Sequence, residues 1–325
     1  MIEIVDLIGR IASSSELATL QFVTRGIHDR FMELYRDGSD STKAAVLSAF
    51  GQTMQFLSGD MMDGMMCMWN LLADLIHGKD PSPCHYELPY EAMSYAEKRA
   101  FFSGFVRIDY RAMYEFLGDR KIEDSCRVSI YRVLWLMLKI RIPGVVLGFD
   151  WSCVIDDLRS ANEDVIIIVC QICRCALRDI RVDRHADDEL LESKVIPVLD
   201  DLVECATFTV KSACLSLLRS IMTRRCLPLW RVLLERTRYL SHLSTFLDTA
   251  SEEEKLTKAI MKSLIFLTDL MDWDIVVDFF QREDIVERVG ALASTTVCDK
   301  CQTLIEELFR LEEAGGFERY PELSA

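Results

Sequence analysis

Residues 162–179 read Asn-Glu-Asp-Val-Ile-Ile-Ile-Val-Cys-Gln-Ile-Cys-Arg-Cys-Ala-Leu-Arg-Asp, and the order of apolar and polar side chains in this stretch decides the fold. Val165, Val169, Ile172 and Ala176 recur at steps of four, three and four, so they share one face of an α-helix. Asn162, Glu163 and Asp164 place a capping side chain and negative charge at its positive end. The unbroken aliphatic run from Val165 to Cys170 is about a third of what a bilayer crossing needs. The stretch predicts an amphipathic helix packed on a core.

The same spacing returns along the chain. It appears in Val46, Phe50, Thr53, Leu57, in Ile130, Leu134, Met137, Arg141, and in Val210, Cys214, Leu217, Ile221. It appears again in Ile260, Leu264, Leu267, Met271 and in Val297, Cys301, Leu304, Leu308. Successive segments begin 84, 35, 45, 50 and 37 residues apart, a unit of about 42 residues if the first interval spans two. Shorter helical stretches lie between them, such as Ser193 to Glu204 ahead of a helix starting near Thr207. Further start signals stand at residues 39–42, 123–125 and 251–254. Residues 78–89, with Pro81, Pro83 and Pro89, read as a loop or an insertion in the most degraded unit.

Composition agrees with helix. The 325 residues hold 14 Gly and 7 Pro, few for a turn-rich β or nucleotide-binding α/β fold. Half are hydrophobic, 27% are charged and the mean hydropathy is +0.13, which excludes a disordered chain. The net charge of −15 disfavours nucleic acid and anionic membranes as main ligands. That charge is uneven: residues 1–119 carry −7, residues 120–240 carry +2 and residues 241–325 carry −10. Twelve irregularly spaced cysteines suit reduced thiols in the cytoplasm, with the nucleus as the alternative, and the N-terminal MIEIVDLIGRIASSS reads as a first helix rather than a signal peptide.

On repeat length and helix pattern the chain resembles the armadillo/HEAT-type α-solenoids, whose units of about 40–47 residues stack two or three helices. The resemblance implies an all-α, right-handed superhelix of about six to seven irregular units. Residues 1–36 would form an N-terminal helical cap, 37–312 the repeats and 313–325 a C-terminal tail. Armadillo units often carry Gly between their first two helices, and here that Gly is mostly missing, which leaves HEAT-like or hybrid units open. The Trp-x-x-x-Asn pattern that binds nuclear-import signals is absent, and the chain has just two Asn, so recognition of basic import signals is not implied. A compact helical bundle or a regulatory subunit of a larger complex is the alternative architecture.

Catalytic and cofactor signatures are missing: no Walker loop, GxGxxG, GxSxG, HExxH or EF-hand loop occurs. No enzyme activity, cofactor or metal is expected. Cys170, Cys173 and Cys175, with Cys298 and Cys301, have metal-like spacing, but within an apolar helix it puts thiols on a packed face. The Met stripes of residues 61–69 read as core filling, and the five histidines are scattered. Asp156, Asp157, Asp200 and Asp201 are the carboxylates a helical enzyme would use, yet adjacent residues point to different sides of a helix. Arg224, Arg225, Arg231, Arg236 and Arg238 around Pro228 read as an exposed basic turn.

The informative face lies two residues beyond the first core position of each main helix. It gathers Arg132 and Lys139, then Gln171, Arg174 and Arg178, then Ser212, Ser216 and Arg219, then Lys262. A solvated face of any helix collects such residues. In an armadillo-like solenoid, however, the last helix of each unit lines the concave groove, and Arg132, Lys139, Gln171, Arg174, Arg178, Arg219 and Lys262 would form a ladder of donors. Such a ladder suits an extended or acidic segment of another protein, and the expected role is a non-catalytic scaffold or adaptor.

Overall fold

Local polar contacts open the helices. The Ser15 hydroxyl accepts the Ala18 N–H at 3.2 Å, the Ser39 hydroxyl accepts the Thr42 N–H at 3.4 Å, and the Asn162 amide oxygen accepts the Asp164 N–H at 3.0 Å. Each satisfies a donor that the first turn of a helix leaves without a backbone acceptor. The computed structural model describes residues 2–54, 56, 110–119, 121–139, 141–142, 145, 151–179, 184–224, 226–248, 254–270 and 274–295, with short pieces at 302–303, 305–306 and 309–310. Among these residues there is helix and turn and no strand. The Met run at 61–69, the loop at 78–89, the Cys298–Cys301 pair and the tail at 313–325 lie outside the described residues. The chain divides into two compact units, Met1–Asp150 and Trp151–Ala325.

In the first unit, α1 (Ile2–Ala12), α2 (Glu16–Thr24), α3 (Ile27–Asp37) and α4 (Asp40–Met54) are followed by α5 (Tyr110–Gly118) and α6 (Asp124–Lys139). The principal pairing is α1 on α4. It is close because Gly9 has no side chain: a Cβ there would lie 2.6 Å from that of Ala49. Phe22, Phe31 and Phe50 join α2, α3 and α4 edge to face, with ring centroids 5.4 and 5.9 Å apart. Gly26 turns α2 into α3 at φ 64°, the left-handed region that glycine enters without steric cost. Buried Arg127 on α6 donates to the Leu117 carbonyl at 3.0 Å and the Asp119 carbonyl at 2.6 Å, satisfying acceptors at the end of α5.

The second unit contains α7 (Trp151–Leu158), α8 (Glu163–Asp179), α9 (Arg184–Glu192), α10 (Val195–Cys205) and α11 (Phe208–Met222). Then come α12 (Leu227–Glu235), α13 (Tyr239–Leu247), α14 (Glu254–Thr268), α15 (Asp274–Arg282) and α16 (Ile285–Thr295). Here the repeat is plain. The long helices α8, α11 and α14 begin 45 and 46 residues apart, and α11 packs between the other two. The helices α7, α10, α13 and α16 begin 44, 44 and 46 residues apart and pack in a second row. Each of α10 and α13 lies against the long helix that follows it, and the short helices α9, α12 and α15 lead into successive units.

The periodic positions are the buried ones. Val165, Val169, Ile172 and Ala176, then Val210, Cys214, Leu217 and Ile221, then Ile260, Leu264 and Leu267 have no accessible surface. Full burial of a large aliphatic side chain contributes about 1.5–3 kcal/mol, so these stripes hold the rows together. The missing glycines have a specific answer. Lys194 between α9 and α10, and Asp284 between α15 and α16, adopt left-handed φ of 62° and 48°. The turn is kept with residues that enter it at a steric cost.

Candidate functional site

Three consecutive long helices enclose a concavity of about 380 Å³. From α8 it receives Ile167, Cys170, Gln171 and Arg174. From α11 it receives Thr209, Ser212, Ser216 and Arg219, and from α14 Lys255, Lys258 and Lys262. The register explains the gathering: Arg174 and Arg219 are 45 residues apart, the interval between their helices, and Lys262 stands one turn earlier on its own helix, at the height of Gln171 and Ser216. Gln171 and Ser216 stand one turn earlier on the same faces. Five side chains of the lining are cationic and none is a carboxylate, in a protein with a net charge of −15.

Arg219 is the most constrained of these cations. Burial, and after it the charge of Arg174, lower its guanidinium below the usual arginine range, and Tyr239 pulls weakly the other way. Its Nε is buried with no hydrogen-bond acceptor in reach. Arg174 and Lys255 are exposed, while Lys258 and Lys262 are half-buried. The lining thus carries hydrogen-bond donors and positive charge and no carboxylate, a chemistry suited to charge-assisted bonds with anionic groups.

Of the residues the sequence singles out, Gln171, Arg174, Arg219 and Lys262 come together in this concavity. Arg178, one turn beyond Arg174, is exposed and is not part of the lining. Arg132 and Lys139 are exposed on α6 in the first unit, where the Lys139 ammonium lies 5.1 Å from the Trp135 ring centroid. Lys255 and Lys258 escape the rule of two residues beyond the core position, because it starts the α14 face at Lys262. Lys258 and Lys262 follow Lys255 by three and seven residues, the spacing of one helix face.

Other candidates have structural surroundings. Asp200 accepts the Arg238 backbone N–H at 2.9 Å and faces His242 Nε2 at 3.0 Å, which joins α10 to α13. Arg238 also bonds Asp201 at 3.2 Å and pairs with Glu204. Asp157 is buried, Asp156 is exposed, and none of these four aspartates lines the concavity. The basic cluster around Pro228 needs correction at Arg224, which is buried rather than exposed: its guanidinium holds Asp187 at 2.7 and 2.8 Å and donates to the Leu177 carbonyl at 3.1 Å. Arg225 lies outside the described residues. Cys170 and Cys173 are fully buried on α8, and the Cys170 and Cys214 sulfurs are 4.0 Å apart. The Cys214 contact and burial push the Cys170 thiol well above its ordinary range, and burial does the same to Cys173. Among the described residues no three metal-ligating side chains converge, and no helix is long and apolar enough to cross a membrane.

No family model matches the chain, and no curated protein matches its sequence. Solved structures do match its backbone. The crystal structure of an engineered protein superposes with a TM-score of 0.69 at 12% identity, over 93% of this chain and 72% of that one. A designed armadillo repeat protein in complex with the peptide (KR)4 gives 0.52 at 13% identity, over 82% and 98%. Computationally designed armadillo repeat proteins for modular peptide recognition give 0.51 at 14% identity, over 80% and 98%. The fold is an armadillo-like helical solenoid. In this solenoid the short, middle and long helices of the second unit are the three helices of an armadillo-like repeat, and α8, α11 and α14 are its long third helices.

Proposed function

We propose that this chain is a non-catalytic interaction scaffold or adaptor whose α8–α11–α14 wall binds an extended acidic segment of another protein. The observation that carries the reading is a lining free of carboxylates in which all three helices place cations, Arg174, Arg219 and the α14 lysines Lys255, Lys258 and Lys262. Neighbouring helix axes lie about 8–10 Å apart and an extended peptide advances about 3.3 Å per residue, so a bound segment would meet one cation every two to three residues. Stacked helices hold this spacing before the partner arrives, which lowers the ordering cost of binding. The designed armadillo protein that resembles this chain is complexed with a basic peptide. The wall here is cationic, so the complementary segment is acidic. Residues 1–36 would act as the cap of a repeat region extending over 37–312, and Arg132, Lys139 and Arg178 would serve as outlying donors. The cytoplasm or nucleus is the setting proposed.

The test is fluorescence anisotropy with labelled (Asp-Glu)4 and (Lys-Arg)4 peptides on the full chain. The acidic peptide is expected to bind at about 50 mM salt and to weaken at least about tenfold at 300 mM, since exposed charges are screened. The combined substitutions Arg174→Glu, Arg219→Glu and Lys262→Glu are expected to abolish that binding with unchanged helicity. Equal binding of the two peptides, or of the acidic peptide to the reversed wall, overturns the proposal.

A further inference from the structure

We infer that the concavity between α8, α11 and α14 is a phosphate subsite, and that the segment it holds is phosphorylated on serine or threonine. The inference rests on the wall being a binding site for a partner segment, and it names the chemistry of that segment.

Charge accounting separates phosphate from carboxylate. Five cations face a volume of about 380 Å³ with no carboxylate among the lining residues. One aspartate or glutamate would bring a single negative charge and two acceptor oxygens to them. A phosphoryl group brings close to two charges and three strong acceptor oxygens at neutral pH. The donors present match the larger demand: the Arg174 and Arg219 guanidiniums, the Lys258 and Lys262 ammoniums, the hydroxyls of Ser212 and Ser216, and the Gln171 amide.

Arg219 adds a second, independent observation. Its Nε is buried with no acceptor, and the like charge of Arg174 acts on it directly. A buried donor without an acceptor is unfavourable, and so are two guanidiniums without an anion between them. A phosphate seated there would relieve both at once, accepting charge-assisted bonds from guanidiniums carried by two helices. Thr209, Ser212 and Ser216 add three hydroxyls to the donors of the lining.

The experiment uses the purified full chain and three immobilised degenerate peptide libraries. They are identical except for the fixed central residue, which is phosphoserine, glutamate or serine. Capture by the phosphoserine library is expected to exceed the glutamate library by at least about tenfold at pH 7.5. The preference should shrink at pH 5, below the second phosphate ionisation near pH 6. Arg174→Gln, at an exposed position that leaves the core intact, is expected to remove most of the preference, and Arg219→Gln the remainder. Equal capture by the phosphoserine and glutamate libraries overturns the phosphate subsite and leaves the acidic-segment reading standing. Capture by none of the three overturns both. Retention of vesicles containing phosphatidylinositol bisphosphate, without phosphopeptide capture, overturns the inference in favour of a membrane headgroup.

Discussion

Two populations of cations occupy the second unit, and they differ in what faces them. Arg224, Arg238 and Arg288 each reach across a helix boundary to an acid or a carbonyl. Arg238 on the α12–α13 turn meets Asp200 of α10, and Arg288 on α16 bonds the Ser244 hydroxyl at 2.7 Å and Asp248 at 2.9 Å, both from the preceding unit. Asp200 and Ser244 stand 44 residues apart, the spacing of their helices, so successive joints use the same height with different chemistry. Arg174, Arg219 and Lys255, by contrast, line a wall without carboxylates. Pairing separates cations that hold the stack from cations on a wall without carboxylates.

Neutralising one member of each population tests that division most severely. Arg224→Ala leaves the buried Asp187 carboxylate without its guanidinium, and a loss of about 3–5 kcal/mol in the denaturant midpoint analysis is expected. Arg219→Met keeps the volume and removes a charge that has no internal acid, so stability is expected to stay within about 0.5 kcal/mol while acidic-peptide binding falls. Equal destabilisation by both would dissolve the distinction.

Tyr239 links the two rows, since it starts α13 and lies close enough to Arg219 to feel its charge. Burial pushes its phenol up to about 12, against smaller opposite pulls from the Ser263 hydroxyl and Arg219. The folded phenol therefore keeps its proton after an unfolded tyrosine, at about pH 10, has lost it. Stability contributed below pH 10 is lost as pH rises to about 12, by about 2–3 kcal/mol. Tyr239→Phe is expected to flatten this part of the curve in urea titrations run from pH 9 to 12. A smaller gain is expected at the left-handed turns. Lys194→Gly and Asp284→Gly relieve steric cost at φ 62° and 48°, and each should raise the melting midpoint by the equivalent of about 0.5–1 kcal/mol.

The long third helices were the most legible part of the chain, because burying one face leaves a period of 3.6 in the apolar residues. Val165 to Ala176 and Val210 to Ile221 declare their core positions directly. The same periodicity puts Arg174, Arg219 and Lys262 on one wall once the helices are stacked. The turns were less legible. A left-handed residue announces itself when it is glycine, as at Gly26, and is silent when it is Lys194 or Asp284. Arg224 was opaque for a different reason: its burial depends on Asp187 and the Leu177 carbonyl, 37 and 47 residues away, and no local pattern encodes a partner at that distance.

The Arg224 joint also bears on how the molecule opens. One guanidinium ties the end of α11 to α9 of its own module and to the Leu177 carbonyl near the C-terminus of α8 in the module before. Solenoids otherwise fray from their ends, a module at a time. With this rivet in place, the amides of α8 and α11 would exchange with deuterium as one cooperative block, and two modules would behave as a single foldon.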